Sequence, residues 1–229
     1  MNLLKIDRLD FKYSDEKVLF NNANLTLNKR EIICLIGANG SGKTTLLKIL
    51  SNIIITDLNI EFLGKNSTIK DIIRHIGYVP DKPFLYDYLT GEENIDYITN
   101  VFKENKSIFK DKVLEICKKL NLYDDLNKEV RNYSLGMKHK LFLAIILSRN
   151  VDLILMDEPL TSLDTDSTKI VIKIMNDLCK NGTTILVSSH IKQIVDDLAD
   201  RILCVKNSKI IECKKNEYDK ETFDEEEIS

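Results

Sequence analysis

Gly37-Ala38-Asn39-Gly40-Ser41-Gly42-Lys43-Thr44-Thr45 directly follows an apolar run, Ile32–Ile36, and leads into a helical run that ends at Leu50. This order of strand, loop and helix, with the spacing Gly-x-x-x-x-Gly-Lys-Thr, is typical of a phosphate-binding loop. The glycines let the backbone curl so that its N–H groups point at a polyphosphate, and Lys43 adds a positive charge beside the β- and γ-phosphates. The Thr44 hydroxyl is placed to bind Mg²⁺. The stretch therefore predicts that residues 37–45 bind a nucleoside triphosphate.

The composition of the chain is that of an ordinary globular protein. It has 229 residues, 43% of them hydrophobic, and a formal net charge of −3, so no basic field favours a nucleic-acid partner. No apolar run approaches the length of a membrane span, and the N-terminus lacks the apolar segment of a signal peptide. The five cysteines are scattered without a Cys-x-x-Cys pair, which gives no metal or disulfide signature. We therefore expect a cytosolic protein that reaches a membrane only by docking to a partner that spans it.

The order of the apolar patterns predicts an α/β fold. Apolar and polar residues alternate through the first forty positions, which predicts a small N-terminal antiparallel sheet. Strand and helix patterns then alternate, which favours a parallel sheet flanked by helices, the core of a P-loop NTPase. Residues from about 83 to 132 look helical and interrupt this alternation. We expect one domain over residues 1–215 with a helical lobe inserted at about 83–140, and a disordered acidic tail over residues 216–229.

A second group of polar residues follows the continuous apolar strand Leu153–Met156, which ends in Asp157 and Glu158. The carboxyl ends of parallel strands meet at one edge of a sheet, so these carboxylates are expected where the phosphate-binding loop also opens. Asp157 is placed to hold Mg²⁺, directly or through water. Glu158 is placed to orient or deprotonate an attacking water. Taken alone, two acids could merely end a strand; beside a phosphate-binding loop they predict hydrolysis.

With these motifs, the chain resembles the nucleotide-binding subunits of ATP-binding cassette proteins from Met1 to about Glu212. The segment Tyr133-Ser134-Leu135-Gly136-Met137 occupies the place of that family's signature, usually Leu-Ser-Gly-Gly-Gln. Ser134 can cap the helix that follows, whose free N–H groups and dipole favour a γ-phosphate. Leu135 and Met137 depart from the signature, whereas Ser134 and Gly136 keep it. The Tyr-Ser-x-Gly-Met form is similar to the branch of exporters and self-protection transporters for peptide antibiotics.

The resemblance implies roles for four further residues. Asp164, in Ser162-Leu163-Asp164, matches a loop that crosses the interface between two subunits. His190 matches a histidine that senses the γ-phosphate, and Tyr13 lies where the family stacks an aromatic ring on adenine. Asp81 stands where the family has a glutamine that reaches the metal and the attacking water. An aspartate there allows direct metal contact and leaves the water-orienting role open.

Three features have no assigned role in these motifs. The aromatic-rich segment Pro83–Leu89 is open to two interpretations, as core of the helical lobe or as a groove for a cytoplasmic helix of a membrane partner. His75 and His139 match no motif, and we expect them to be surface or local hydrogen-bonding residues.

The resemblance implies two subunits packed head to tail, with ATP and Mg²⁺ between the phosphate-binding loop of one and the signature of the other. We expect a homodimeric ATPase on the inner face of the cell membrane that powers a separate permease. One alternative is a soluble cassette ATPase acting on ribosomes or DNA, although the chain lacks the tandem cassettes, long coiled-coil insertions and basic arms of those relatives. The other alternative is a regulatory ATPase bound to a membrane sensor. The cargo is not encoded in this subunit.

Overall fold

The computed structural model describes residues 1–13, 18–102 and 105–214, and within these residues the chain forms ten strands and seven α-helices. The strands are β1 (Asn2–Lys12), β2 (Val18–Asn28), β3 (Ile32–Ile36), β4 (Asn59–Phe62), β5 (Lys65–Thr68), β6 (Ile76–Val79), β7 (Leu153–Asp157), β8 (Thr184–Ser188), β9 (Arg201–Lys206) and β10 (Lys209–Cys213). The helices are α1 (Lys43–Leu50), α2 (Ile69–Ile72), α3 (Gly91–Phe102), α4 (Lys106–Lys119), α5 (Leu135–Leu147), α6 (Thr165–Lys180) and α7 (Lys192–Leu198). The acidic tail predicted over residues 216–229 lies outside the described residues.

The N-terminal strands form an antiparallel sheet in the order β2-β1-β4-β5. Leu4 pairs with Leu27 and Ile6 with Leu25, and all four side chains are buried. The alternation in the sequence thus places one apolar face of β1 and β2 toward the core, because side chains along a strand point alternately to its two faces. The predicted antiparallel sheet is confirmed.

The second sheet has the order β10-β9-β3-β8-β7-β6. Its strands β6, β7, β8, β3 and β9 run parallel, and every residue of β3, β7 and β8 is buried, which explains their continuous apolar sequences. β10 was not predicted, and it adds an antiparallel edge through a turn at Asn207 and Ser208, both with positive φ. Such a turn matches the right-handed twist of a hairpin, so the α/β prediction is correct with one antiparallel strand added.

Two hydrophobic clusters lie on opposite faces of the second sheet. Ile33 and Leu35 of β3 face α1, α2 and the antiparallel sheet, whereas Ile32, Cys34 and Ile36 of the same strand face helices α3 to α7. The buried apolar side chains of α3, α4 and α5 belong to the same cluster as Ile32, Cys34 and Ile36. The helical region therefore shares its core with the sheet.

The segment between β6 and α5 is only partly helical, so the expectation of helix from about 83 to 132 is too broad. The buried Asn94 side chain explains the first exception, residues 83–90: its amide nitrogen donates to the carbonyl oxygens of Tyr86 and Thr90, and its oxygen accepts from Tyr86 N–H. Thr90 and Glu93 also exchange hydrogen bonds at the start of α3, as a capping box does. Polar side chains thus hold this loop in a fixed turn.

Across the described residues, no helix combines the length and apolarity that a bilayer span needs.

Candidate active site

The sheet order brings the predicted site segments to one edge. β3, β8, β7 and β6 are neighbours, and their carboxyl ends lead into residues 37–45, His190, Asp157 with Glu158, and Asp81 respectively. The register aligns Ser188 of β8 with both Leu35 of β3 and Asp157 of β7. Residues far apart in the sequence therefore meet because parallel strands end together.

The phosphate-binding loop wraps around the ammonium group of Lys43. This side chain is only 7% exposed, and its Nζ donates to the carbonyl oxygens of Gly37 (2.5 Å) and Ala38 (3.2 Å). Gly37 has φ +145°, and a Cβ there would lie 2.7 Å from the carbonyl oxygen of Val205, so both its conformation and its surroundings require glycine. The Ser41 hydroxyl is buried without a hydrogen-bond partner among the described residues. The loop thus presents an unpaired donor and a lysine beside the N-terminus of α1, which suits a polyphosphate.

Ser188 organises the two carboxylates at the end of β7. Its hydroxyl donates to Oδ1 of the buried Asp157 (2.8 Å) and accepts from the backbone N–H of Glu158 (3.0 Å). Glu158 has φ +48°, an uncommon conformation for a residue with a side chain. This turn directs the Glu158 carboxylate to His190, where Oε2 and Nδ1 lie in hydrogen-bonding contact. A carboxylate held by an imidazole is a suitable proton acceptor for a water molecule.

A groove of about 530 Å³ opens between α1 and the ends of β6 and β7. Thr44, Asp81, Asp157 and Glu158 line it together with Lys48 and Tyr78. A hydroxyl and carboxylates are the hard oxygen ligands that Mg²⁺ prefers, and Mg²⁺ commonly takes one or two carboxylates with substrate phosphates and water. The donor set around this groove therefore fits Mg²⁺ bound together with a nucleotide.

Tyr13 lies beside Thr45, the last residue of the phosphate-binding loop. Its hydroxyl is 3.2 Å from the Thr45 hydroxyl, and its ring packs edge-to-face on Phe11 with a centroid distance of 5.0 Å. Tyr13 is 61% exposed, so its ring is accessible to a flat group.

The signature segment forms a different surface. The Ser134 hydroxyl accepts the N–H of Met137 (3.2 Å) and caps α5, as the sequence predicts. A Cβ on Gly136 would lie 3.0 Å from the carbonyl oxygen of Ser162, so the signature touches the Asp164 loop. Among the described residues, those lining the groove include neither Ser134 nor Gly136.

Asp164 is fixed by several polar contacts. It caps α6 by accepting the Ser167 N–H (2.8 Å) and pairs with Lys140 of α5 (2.7 Å). The hydrogen bond from Lys140, followed by those from Ser167, lowers the pKa of this carboxyl well below its usual range. The Lys140 pair thus joins the helix that follows the signature to the loop at Asp164.

Three residues were missed or misassigned from the sequence. Ser188 and Tyr78 carry no motif of their own, and only the sheet register reveals that Ser188 contacts Asp157 and that Tyr78 lines the same groove. His139 was expected at the surface or in a local hydrogen bond; instead it is 2% exposed, and its Nδ1 has no partner among the described residues. That expectation was wrong because α5 is buried almost all round, and burial lowers the pKa of His139 and favours its neutral form. His75 does make a local contact, 2.7 Å from Asp152.

The parallel sheet, the phosphate-binding loop and the carboxylates at the end of β7 define a P-loop NTPase. A family model described as ABC transporter matches residues 20–161. The lantibiotic transport ATP-binding protein SrtF of Streptococcus pyogenes is 34% identical over 218 residues, covering 95% of this chain and 92% of that protein. The chain therefore belongs to the ATP-binding cassette (ABC) transporter family as an ATP-binding subunit with ATPase activity.

Other proteins are similar over nearly the same length. The arginine transport ATP-binding protein ArtM of Bacillus subtilis is 31% identical over 219 residues. The alignment covers 92% of this chain and 90% of ArtM. A dimeric ATP-binding cassette in a post-hydrolysis state, bound to ADP and Pi, superposes with a TM-score of 0.79 at 22% identity, over 94% of this chain and all of that chain. The last similarity supports the shared fold.

Proposed function

We propose that two copies of this chain close head to tail on two ATP–Mg²⁺ complexes, and that the closure powers a membrane permease. The observation that carries the proposal is the separation of two phosphate-binding elements. Among the described residues that line the groove beside Thr44, neither Ser134 nor Gly136 is present. Both lie at the N-terminus of α5, where Gly136 approaches Ser162. A second copy can supply those residues to the γ-phosphate, so ATP binds the closed pair more tightly than the open one and shifts the equilibrium toward closure.

Within each composite site, the residues of one copy have distinct roles. Tyr13 stacks on adenine, residues 37–45 hold the phosphates, and Thr44 and Asp157, with Asp81, hold Mg²⁺. The metal ion, when bound, neutralises charge that develops on the phosphates.

The hydrolytic step rests on a second set of side chains. Glu158 accepts the proton of the attacking water, while His190 orients its carboxylate and contacts the γ-phosphate. Asp164, fixed by Lys140, presents the loop that crosses to the partner copy. Hydrolysis removes the γ-phosphate contact and lets the pair reopen.

We propose that the permease docks on an exposed aromatic surface formed by the loop after β6 and by exposed side chains of α3. Its members are Phe84, Tyr86, Tyr88, Tyr97, Val101 and Phe102, each at least 40% exposed. Tyr86 packs on Tyr97 (4.7 Å between ring centroids), with their hydroxyls 2.9 Å apart, so the rings stand in a fixed arrangement. Exposed aromatic clusters of this kind mark interaction sites, and an amphipathic helix of the permease suits the surface.

The docking proposal predicts loss of the permease from a double variant, Phe84→Ser with Tyr88→Ser. Buried aromatic anchors carry at least about 2 kcal/mol each at interfaces, so recovery of the integral membrane protein with the tagged chain should fall more than about tenfold. The assay is affinity capture from detergent-solubilised membranes of the native host, with mass spectrometry of the captured protein. Tyr123→Ser, at an exposed tyrosine elsewhere among these helices, is the matched control and should retain the permease.

The same capture separates the alternatives. A protein with several membrane spans and no kinase fold supports the permease. Capture of ribosomal proteins or DNA in its place would contradict the transport proposal and indicate a soluble ATPase. Capture of a membrane protein with a kinase fold would indicate a regulatory subunit bound to a sensor. A transport role places the chain at the cytoplasmic face of the membrane through its permease.

We propose export of a peptide antibiotic or a similar molecule as the direction and cargo class. The similarity to SrtF and the Tyr-Ser-Leu-Gly-Met form of the signature support export. The similar sequence identity to ArtM, an arginine transport protein, shows that relatives at this level of identity serve different cargoes. Cells expressing the chain with its captured permease should tolerate a lantibiotic that inhibits cells carrying Lys43→Ala in the same pair. Equal sensitivity of the two strains to a panel of lantibiotics would contradict this cargo class.

A further inference from the structure

Tyr78 is a polar residue in the groove that the proposed mechanism does not use. Its hydroxyl oxygen is buried and has no hydrogen-bond partner among the described residues. Tyr78 nevertheless borders the same groove as Thr44, Asp81 and Asp157. Because buried polar atoms are almost always paired, an unpaired hydroxyl here indicates a water, ion or ligand atom beside it.

The strand register decides which face of the sheet carries the Tyr78 side chain. Tyr78 of β6 pairs with Leu155 of β7, and Asp157 lies two residues further along β7. Side chains two apart on a strand, and those directly opposite on its neighbour, share one face of the sheet. Tyr78 and Asp157 therefore project to the face that α1 covers, which is the face carrying Thr44.

The surroundings of Tyr78 keep its hydroxyl neutral. Burial of the side chain, followed by the nearby carboxylates of Asp157 and Asp81, raises the pKa of the phenol above its usual value. The hydroxyl therefore keeps its proton at physiological pH. A neutral phenol has both a proton to donate and an oxygen lone pair that can accept, and here it bonds to neither carboxylate directly.

We propose that Tyr78 is a positioning residue whose phenolic oxygen accepts a hydrogen bond from a water molecule bound to Mg²⁺ in this groove. Mg²⁺ keeps several waters when it binds a nucleotide, and residues that hold such outer ligands tune metal affinity. A water on the metal would donate one proton to the phenolic oxygen, while the carboxylates hold the metal itself. The inference rests on the magnesium site of the proposed function and adds a residue to it.

The test is Tyr78→Phe, which keeps the ring packed and removes only the hydroxyl. Binding of a non-hydrolysable ATP analogue is measured by calorimetry in EDTA and in excess Mg²⁺, and thermal unfolding is measured without nucleotide. We expect the affinity gained on adding Mg²⁺ to fall about fivefold, as for the loss of one hydrogen bond. Affinity in EDTA and the unfolding temperature should stay at the wild-type values. Tyr123→Phe serves as the matched control and should retain the full gain.

The outcomes distinguish this inference from the magnesium assignment beneath it. A wild-type gain in Tyr78→Phe would overturn the role of Tyr78 and leave the magnesium site standing. An equal loss of affinity in EDTA and in Mg²⁺ would also overturn it, because it would reveal a packing role. Absence of any Mg²⁺-dependent gain in the wild-type protein would overturn both.

Discussion

Replacement of Glu158 by glutamine lowers the rate of ATP hydrolysis by at least about 100-fold, the contribution typical of a general base. The reason is local: Glu158 is the carboxylate that borders the groove and is held by His190, and glutamine keeps its shape while losing its basicity. Nucleotide binding should persist, because the phosphate-binding loop is untouched. The measurement is steady-state phosphate release beside equilibrium binding of ATP.

Two comparisons make the result specific to Glu158. Glu115→Gln removes an exposed carboxylate on α4 whose ion pair with Lys119 lies at the surface, and hydrolysis should not change. His190→Ala tests whether Glu158 acts only by holding His190; in that case the two single variants and the double variant would have the same rate. Hydrolysis by Glu158→Gln at the wild-type rate would exclude Glu158 as the base.

Replacement of Lys43 by alanine should weaken ATP binding by about tenfold or more and reduce hydrolysis by at least about 100-fold. Lys43 is the buried cation of the phosphate-binding loop, and its ammonium group already lies on the carbonyl oxygens of Gly37 and Ala38. Phosphates that reach the loop meet this charge in a partly desolvated site, where it is worth more than in water. Binding and hydrolysis are measured as for Glu158→Gln.

The matched control for Lys43 is Lys119→Ala, which removes an exposed cation on α4 and should leave both quantities unchanged. Thermal unfolding of Lys43→Ala checks that the loop still folds. Unchanged affinity and turnover in a folded Lys43→Ala protein would refute the assignment of the phosphate-binding loop.

The proposed docking surface and the nucleotide site are connected over a short stretch of chain. Asp81 borders the groove, and Phe84 of the aromatic surface follows three residues later. In the same loop, Asp87 pairs with Lys138 of α5 (2.7 Å), the helix that Ser134 caps. A permease on this surface would therefore contact a segment joined both to the proposed metal site and to the signature.

The phosphate-binding loop and the carboxylates at the end of β7 were predictable, because each set occupies consecutive positions next to an apolar strand. The same holds for Ser134, whose capping role follows from local sequence. The positions of Ser188 and Tyr78 were not predictable, because strand pairing between distant segments brings Ser188 into contact with Asp157 and puts Tyr78 on the same face of the sheet. The turn at residues 83–90 also escaped prediction, since it depends on Asn94, a single buried amide that no helical pattern reveals.

The central claim is that one chain carries half of a composite site, and the molar mass of Glu158→Gln in solution tests it most directly. Light scattering is recorded with and without ATP and Mg²⁺, after nucleotide binding has been verified. We predict a mass of 26.4 kDa without ATP and twice that value with it, because ATP that is not hydrolysed holds two copies closed. A nucleotide-bound protein that stays at 26.4 kDa would contradict the account.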